Sequence, residues 1–117
     1  MKALVDDFGP GVMPGGGVEE LGCGCFHAFV NATPLGMAGG PAPDESPLPD
    51  DVPLDDTVVV MDTVYTPRMT PMLRLAEDRG ARIVDGMAMF VAQAEAQFES
   101  WTSTPPASGL YDSLVDA

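Results

Sequence analysis

A chain of 117 residues is one domain or a large piece of one, long enough for a real core but short for a two-domain enzyme. Its 18 acidic and 5 basic residues give a formal charge of -13, which repels phosphate backbones and leaves no basic stripe, so nucleic acid is not an expected partner. Nothing approaches the ~20 consecutive apolar residues of a membrane helix. No apolar run of signal-peptide length follows Lys2, so no membrane is expected and the expected setting is soluble and cytoplasmic.

Residues 3–9 read as the end of a helix, with Leu4, Val5 and Phe8 apolar and Gly9 where a left-handed cap would fall. Residues 10–25 are glycine-rich and carry Pro10 and Pro14, which makes them a connection, with one helical turn available to residues 18–21. The run Gly15-Gly16-Gly17 lacks the strand and helix that a dinucleotide fingerprint requires on its flanks, so it reads as linker. Cys23 and Cys25 form a C-x-C pair near the lone His27, but nothing completes a four-ligand set, and two free thiols in a reducing compartment are expected in place of a metal site.

Residues 26–30 fit a short buried strand that stops at Asn31-Ala32-Thr33-Pro34-Leu35-Gly36. Five prolines among acidic residues make 38–53 a surface connection. The three consecutive valines in 57–61 are the strongest strand signal in the chain. Thr70 as N-cap and Pro71 at the first helical position open a helix that Gly80 stops, and residues 81–84 form a third strand candidate. The longest helix is expected over 86–101, with a stripe at Met87, Phe90, Val91, Ala94, Phe98 and Trp101 that marks a buried face.

Strands alternating with helices or long crossovers argue a parallel sheet with helices on its faces. The fold class expected is α/β, with about three strands forming the second half of a Rossmann-like doubly wound sheet and a C-terminal helical extension. Ligands of such sheets sit beyond the carboxyl ends of the strands. Three clusters fall there: Asn31 to Thr33, Asp62 to Tyr65, and Asp85-Gly86.

For Asn31 and Thr33, a strand-capping turn and a surface for a nicotinamide dinucleotide are both open on pattern alone. Tyr65 is either a half-buried aromatic or a hydroxyl offered to a polyhydroxylated ligand. Gly86 either starts a helix or admits a flat ring close to the backbone. Gly86, Met89 and Gln93 share one helix face, where the Gln93 amide can donate and accept at once or simply face solvent. Four of the five cations lie between Arg68 and Arg82 and read singly as solvated charges. His27 reads as a core or strand-edge residue, and no catalytic triad can be assembled around it.

In order and spacing, Asn31 to Met37, Ser46-Pro47-Leu48-Pro49, Val60 to Pro67, Thr70 to Leu73 and Val84 to Gln93 resemble the C-terminal half of shikimate dehydrogenase, a family that includes quinate-using relatives. The resemblance implies an NADP-dependent oxidoreductase that reversibly reduces 3-dehydroshikimate to shikimate in aromatic amino acid (chorismate) biosynthesis. It implies substrate contacts at Tyr65 and Gln93, and an NADP surface bordered by Thr33, Thr63 and Gly86, to which Asn31 and Met89 are added. On this view residues 1–85 are part of the NADP-binding domain and 86–117 a C-terminal helical segment.

The family's catalytic Lys and Asp, its glycine-rich loop and its NADP-phosphate motif precede the segment matched here, so no catalytic residue is assigned. Lys2 is the only lysine and corresponds to neither member of that pair. The chain is accordingly expected to need an N-terminal half and to be inactive alone. A non-catalytic nucleotide-binding module, standing alone or completed by a separate chain, is the alternative. Two positions depart from the family's habit: Ala88 where glycine is frequent, and Phe90 where leucine is.

Overall fold

The computed structural model describes residues 15–115, so the helix end expected over 3–9 lies outside the described residues. Three parallel strands, β1 (Ala28–Asn31), β2 (Val59–Asp62) and β3 (Arg82–Val84), lie side by side in that order. The α/β class and the parallel sheet thus match the expectation from sequence, with strand bounds displaced by one or two residues.

Register decides what the sheet buries. Phe29 pairs with Val60, Val60 with Ile83, and Asn31 with Asp62. Paired positions point to the same face, so Phe29, Val60, Asn31 and Asp62 turn to one side, where all four are buried. Helix α1 (Pro71–Asp78) covers this face with Met72, Leu73 and Ala76, and the β1–β2 connection adds Leu48 and Val52. Each large apolar side chain removed from water here contributes roughly 1.5–3 kcal/mol.

Helix α1 begins as its sequence dictates. Thr70 is extended at φ -76° and ψ 163°, its hydroxyl accepts from the Leu73 amide at 3.3 Å, and Pro71 takes a position whose N–H would have no intrahelical partner. Arg79 caps the other end and donates to the carbonyls of Asp50 and Val52, tying helix to connection. Gly80 follows at φ 81°, the left-handed conformation that stops the helix and returns the chain to β3.

The opposite face of the sheet is different. Ala28 and Val30 are exposed, Val30 at 60%, and β1 has β2 as its only neighbour among the described residues. A 3-10 helix (Val18–Cys23) precedes this edge, and an apolar groove of about 390 Å³ runs between Val18, Phe26, Val30 and Leu48.

Helix α2 (Gly86–Thr102) and the short α3 (Leu110–Val115) form the C-terminal extension and pack on each other. The expected buried stripe on α2 is only partly buried. Val91 is enclosed, but Phe90 is 47% and Trp101 80% exposed, because the described residues put no layer over the outer turns of the helix. A second correction concerns the cysteines: Cys25, expected as a free thiol, is disulfide-bonded. His27 is exposed just before β1, and its carbonyl accepts from the Val59 amide at 3.0 Å, a strand-edge role.

Candidate functional site

Strands β1 and β2 end in a polar pair where an apolar pair would ordinarily close the core. Asn31 is 2% exposed and Asp62 fully buried, and the Asn31 Nδ2 donates to Asp62 Oδ1 at 3.0 Å. Burying these groups is costly unless every polar atom is paired. Asp62 meets that demand with three donors: Asn31, the Val64 amide on Oδ1 at 2.9 Å, and the Thr70 hydroxyl on Oδ2 at 2.7 Å. Among the described residues no buried side-chain polar atom lacks a partner. One carboxyl therefore joins the end of β1, the turn after β2 and the N-cap of α1.

Above this pair opens a cleft of about 350 Å³. Thr33, Pro34, Met37 and Ala38 form one wall, and Thr63, Val64, Tyr65 and Thr66 the other. The Ala38 amide donates to the Thr66 carbonyl at 2.8 Å and the Thr63 amide to the Asn31 carbonyl at 3.0 Å, so backbone bonds also hold the walls together. The Thr66-Pro67 bond that ends the second wall is cis. The lining contains no lysine or arginine.

Gly86 is required by close approach. A β-carbon there would lie 2.3 Å from the Val64 carbonyl oxygen and 2.8 Å from that of Thr63, inside backbone that cannot swing away like a flexible side chain. The first turn of α2 thus rests directly on the second cleft wall. Asp85 caps that turn, its Oδ1 accepting from the Ala88 amide at 2.7 Å while Oδ2 accepts from Arg68 Nε at 2.8 Å. Partial burial raises the Asp85 carboxyl, but the Arg68 hydrogen bond, the Ala88 amide and the Arg68 charge outweigh it and leave the group below its ordinary value.

The structure gathers three of the sequence-derived candidates, Thr33, Thr63 and Tyr65, into the cleft. Asn31 lies buried behind Thr33, and Gly86 sits beneath Val64. Met89 and Gln93 lie on α2, half-buried and exposed respectively, outside the cleft lining. They are nonetheless linked to it: the Tyr65 ring lies 5.7 Å from that of Phe90, tilted by 35°, and Phe90 is one turn from Gln93. Among the described residues no three His, Cys, Asp or Glu converge as a metal set, and no helix is long and apolar enough to cross a membrane.

Sequence reasoning missed the part played by Asp62 and the contact of Phe90 with Tyr65. An acidic residue ending a valine strand, opposite an asparagine ending its neighbour, is the signal that would have found the first.

No protein-family model matches the chain. Individual relatives do. The shikimate dehydrogenase (NADP(+)) of Sinorhizobium fredii (strain NBRC 101917 / NGR234) is 45% identical over 107 residues, which is 90% of this chain and 36% of the relative. Among solved structures, shikimate 5-dehydrogenase from Thermus thermophilus, in complex with NADP(H) and shikimate, superposes with a TM-score of 0.74 at 30% identity. That superposition covers 95% of this chain and 40% of the other. Quinate dehydrogenase from Corynebacterium glutamicum, in complex with NAD, gives 0.71 at 28% identity, over 86% of this chain and 34% of its own. The chain thus spans about a third of the length of the curated relative described, and of similar solved structures.

Proposed function

Because the chain is a relative of the shikimate dehydrogenases over the third of their length that it spans, we propose that it supplies part of the cofactor wall and one side of the substrate pocket of an NADP-dependent shikimate dehydrogenase. The observation that carries this reading is the convergence of Thr33, Thr63 and Tyr65 in one cleft at the carboxyl ends of β1 and β2, the place where open parallel sheets bind ligands.

The cleft fits part of a dinucleotide. Met37, Ala38 and Val64 offer apolar surface to a flat ring, and Thr33 and Thr63 offer polar atoms at its rim. With no cation in the lining, the phosphates would be met by groups outside it. When bound, NADPH would supply the hydride that reduces the ketone of 3-dehydroshikimate. In this reading Thr33, Thr63, Gly86 and Met89 border the cofactor and Asn31 positions Thr33 from behind, while Tyr65 and Gln93 hold substrate hydroxyls. Residues 1–85 then belong to the nucleotide-binding domain and 86–117 to the helical segment that follows it, and a cytoplasmic setting goes with the reaction.

No residue of this chain is assigned the proton transfer, and the reading makes the chain dependent on the remaining part of the family fold. Two features support dependence: among the described residues β1 has an open edge, with Val30 exposed beside it, and the outer turns of α2 are bare. A quinate-using relative is the second reading, favoured by the likeness to the C. glutamicum enzyme.

Calorimetric titration with NADP+ and with shikimate, alone and after adding the remaining segment of a relative, tests the proposal. Shikimate-dependent NADP+ reduction should appear only in the mixture. Turnover by the chain alone would refute the absence of a catalytic group, and inactivity of a demonstrably assembled mixture would refute the assignment.

A further inference from the structure

The Asn31 side chain is fully committed. Its Nδ2 donates to Asp62 Oδ1 at 3.0 Å and to the Leu35 carbonyl at 3.2 Å. Its Oδ1 accepts from the Thr33 amide at 3.0 Å and from the Thr33 hydroxyl at 2.7 Å. The amide cannot turn round, because the Leu35 carbonyl only accepts and the Thr33 N–H only donates, and a reversed Asn31 would oppose like groups at both. Asp62, tied at the same time to Val64 and Thr70, keeps Asn31 from moving as a unit.

The consequence falls on Thr33, which is exposed in the cleft wall. A threonine hydroxyl has one proton and two lone pairs. The proton goes to Asn31, and one lone pair accepts from the Leu35 amide at 3.3 Å. What remains for a ligand is a single acceptor position.

Resting on the cofactor reading above, we propose that Thr33 is a specificity-determining residue that accepts a hydrogen bond from a ligand N–H or O–H, such as a carboxamide or sugar hydroxyl, and rejects a phosphate oxygen. Asn31, held by Asp62, is the positioning residue that sets this polarity. Two further observations agree: no cation lines the cleft, and the chain carries a formal charge of -13, so a phosphate at Thr33 would find no donor in that hydroxyl and no countercharge in the lining.

Nuclear magnetic resonance on the chain as it stands tests this in two parts. In the ligand-free chain the Thr33 hydroxyl proton is expected to be protected from exchange and to show a through-space contact with Asn31; a freely exchanging hydroxyl overturns the proposal whatever the chain binds. Titrations with nicotinamide, shikimate and methyl phosphate follow, the last at a pH where it is the dianion and carries no O–H of its own, read at the Thr33 and Leu35 amides. Nicotinamide or shikimate should move them, and phosphate should not. Thr33→Ser should retain the response, and Thr33→Val should weaken it about tenfold, the worth of one hydrogen bond. The valine is exposed and leaves Asn31 its contact with the backbone amide at position 33, so folding is kept. A phosphate response at Thr33, or undiminished affinity in the valine variant, overturns the proposal. If neither organic ligand moves any cleft amide, the cofactor reading of this wall fails, and the hydroxyl measurement still decides the polarity of Thr33.

Discussion

Replacing Gly86 by alanine sets two effects of known sign against each other. Alanine is the better helix former, by about 1 kcal/mol in a helix interior and by less at a first turn. Against this, the new β-carbon would sit 2.3 Å from the Val64 oxygen and 2.6 Å from its carbonyl carbon, where ordinary contact begins at 3.4 Å. The first turn of α2 and the Thr63–Val64 backbone must therefore part by about 1 Å. Neither side yields freely: Val64 is pinned by Asp62 through its amide, and α2 is pinned by the Asp85 cap. Overpacking of this kind costs typically 1–3 kcal/mol and occasionally more. Clash outweighs propensity, and Gly86→Ala should lose roughly 2 kcal/mol, which for a small domain lowers the urea midpoint by about 1 M. Gly22→Ala is the control, since nothing lies within 4 Å of its β-carbon. Urea unfolding followed by circular dichroism decides the matter. An unchanged or raised midpoint for Gly86→Ala would refute the claim that α2 rests on the cleft wall.

Asp62→Ala should cost more, about 3–5 kcal/mol by the same unfolding assay, because it strips partners from the Asn31 amide, the Val64 amide and the Thr70 hydroxyl at once. The Asp85 carboxyl, lowered on folding from an ordinary value of 3.8, contributes stability that is fully present above that value and is lost as pH falls through the lower folded-state value. Since Arg68 is 59% exposed, the contribution stays below about 1 kcal/mol; Arg68→Ala should lower stability near neutrality by no more than that, leave it unchanged at acid pH, and so flatten the acid limb of a stability-pH curve. Trp101, 80% exposed and the only tryptophan, should emit at the wavelength of a hydrated indole in the chain alone. Its emission should shift to the blue when the remaining segment of a relative is added, and unshifted emission from an assembled mixture would place the contact elsewhere.

The backbone of this fold was legible because its signals are local. Three valines in a row define β2, and Thr70, Pro71 and Gly80 bracket α1 through capping chemistry that needs no knowledge of the rest of the chain. The candidate cleft was legible in its positions and not in its wiring. Thr33, Thr63 and Tyr65 fall at strand ends, which sequence order can locate. That Asn31 and Asp62 meet depends on the register of two strands whose paired ends lie 31 residues apart, and no local pattern encodes it. Gly86 was readable as a helix start, but the carbonyls beneath it belong to Thr63 and Val64, in a turn on the far side of α1 and β3 in the chain. The stripe on α2 was read correctly as apolar but is buried only in part, because periodicity reports that a face seeks cover and not whether the same chain supplies it.

That last distinction bears on function. Val30, Phe90 and Trp101 keep much of their apolar area in water, which withholds a large part of the roughly 1.5–3 kcal/mol that full burial of such a side chain contributes. The polar network at the ends of β1 and β2, by contrast, is complete within the chain, with every donor and acceptor of Asn31 matched. A sheet edge that awaits a neighbour and a cleft wall already wired in detail are properties of different kinds. Packing against further segments would add stability and further enclosure, whereas the hydrogen-bond polarity offered by Thr33 is fixed by residues 31–35 and Asp62 themselves. Completion of the fold should therefore raise ligand affinity without changing which ligand group Thr33 accepts.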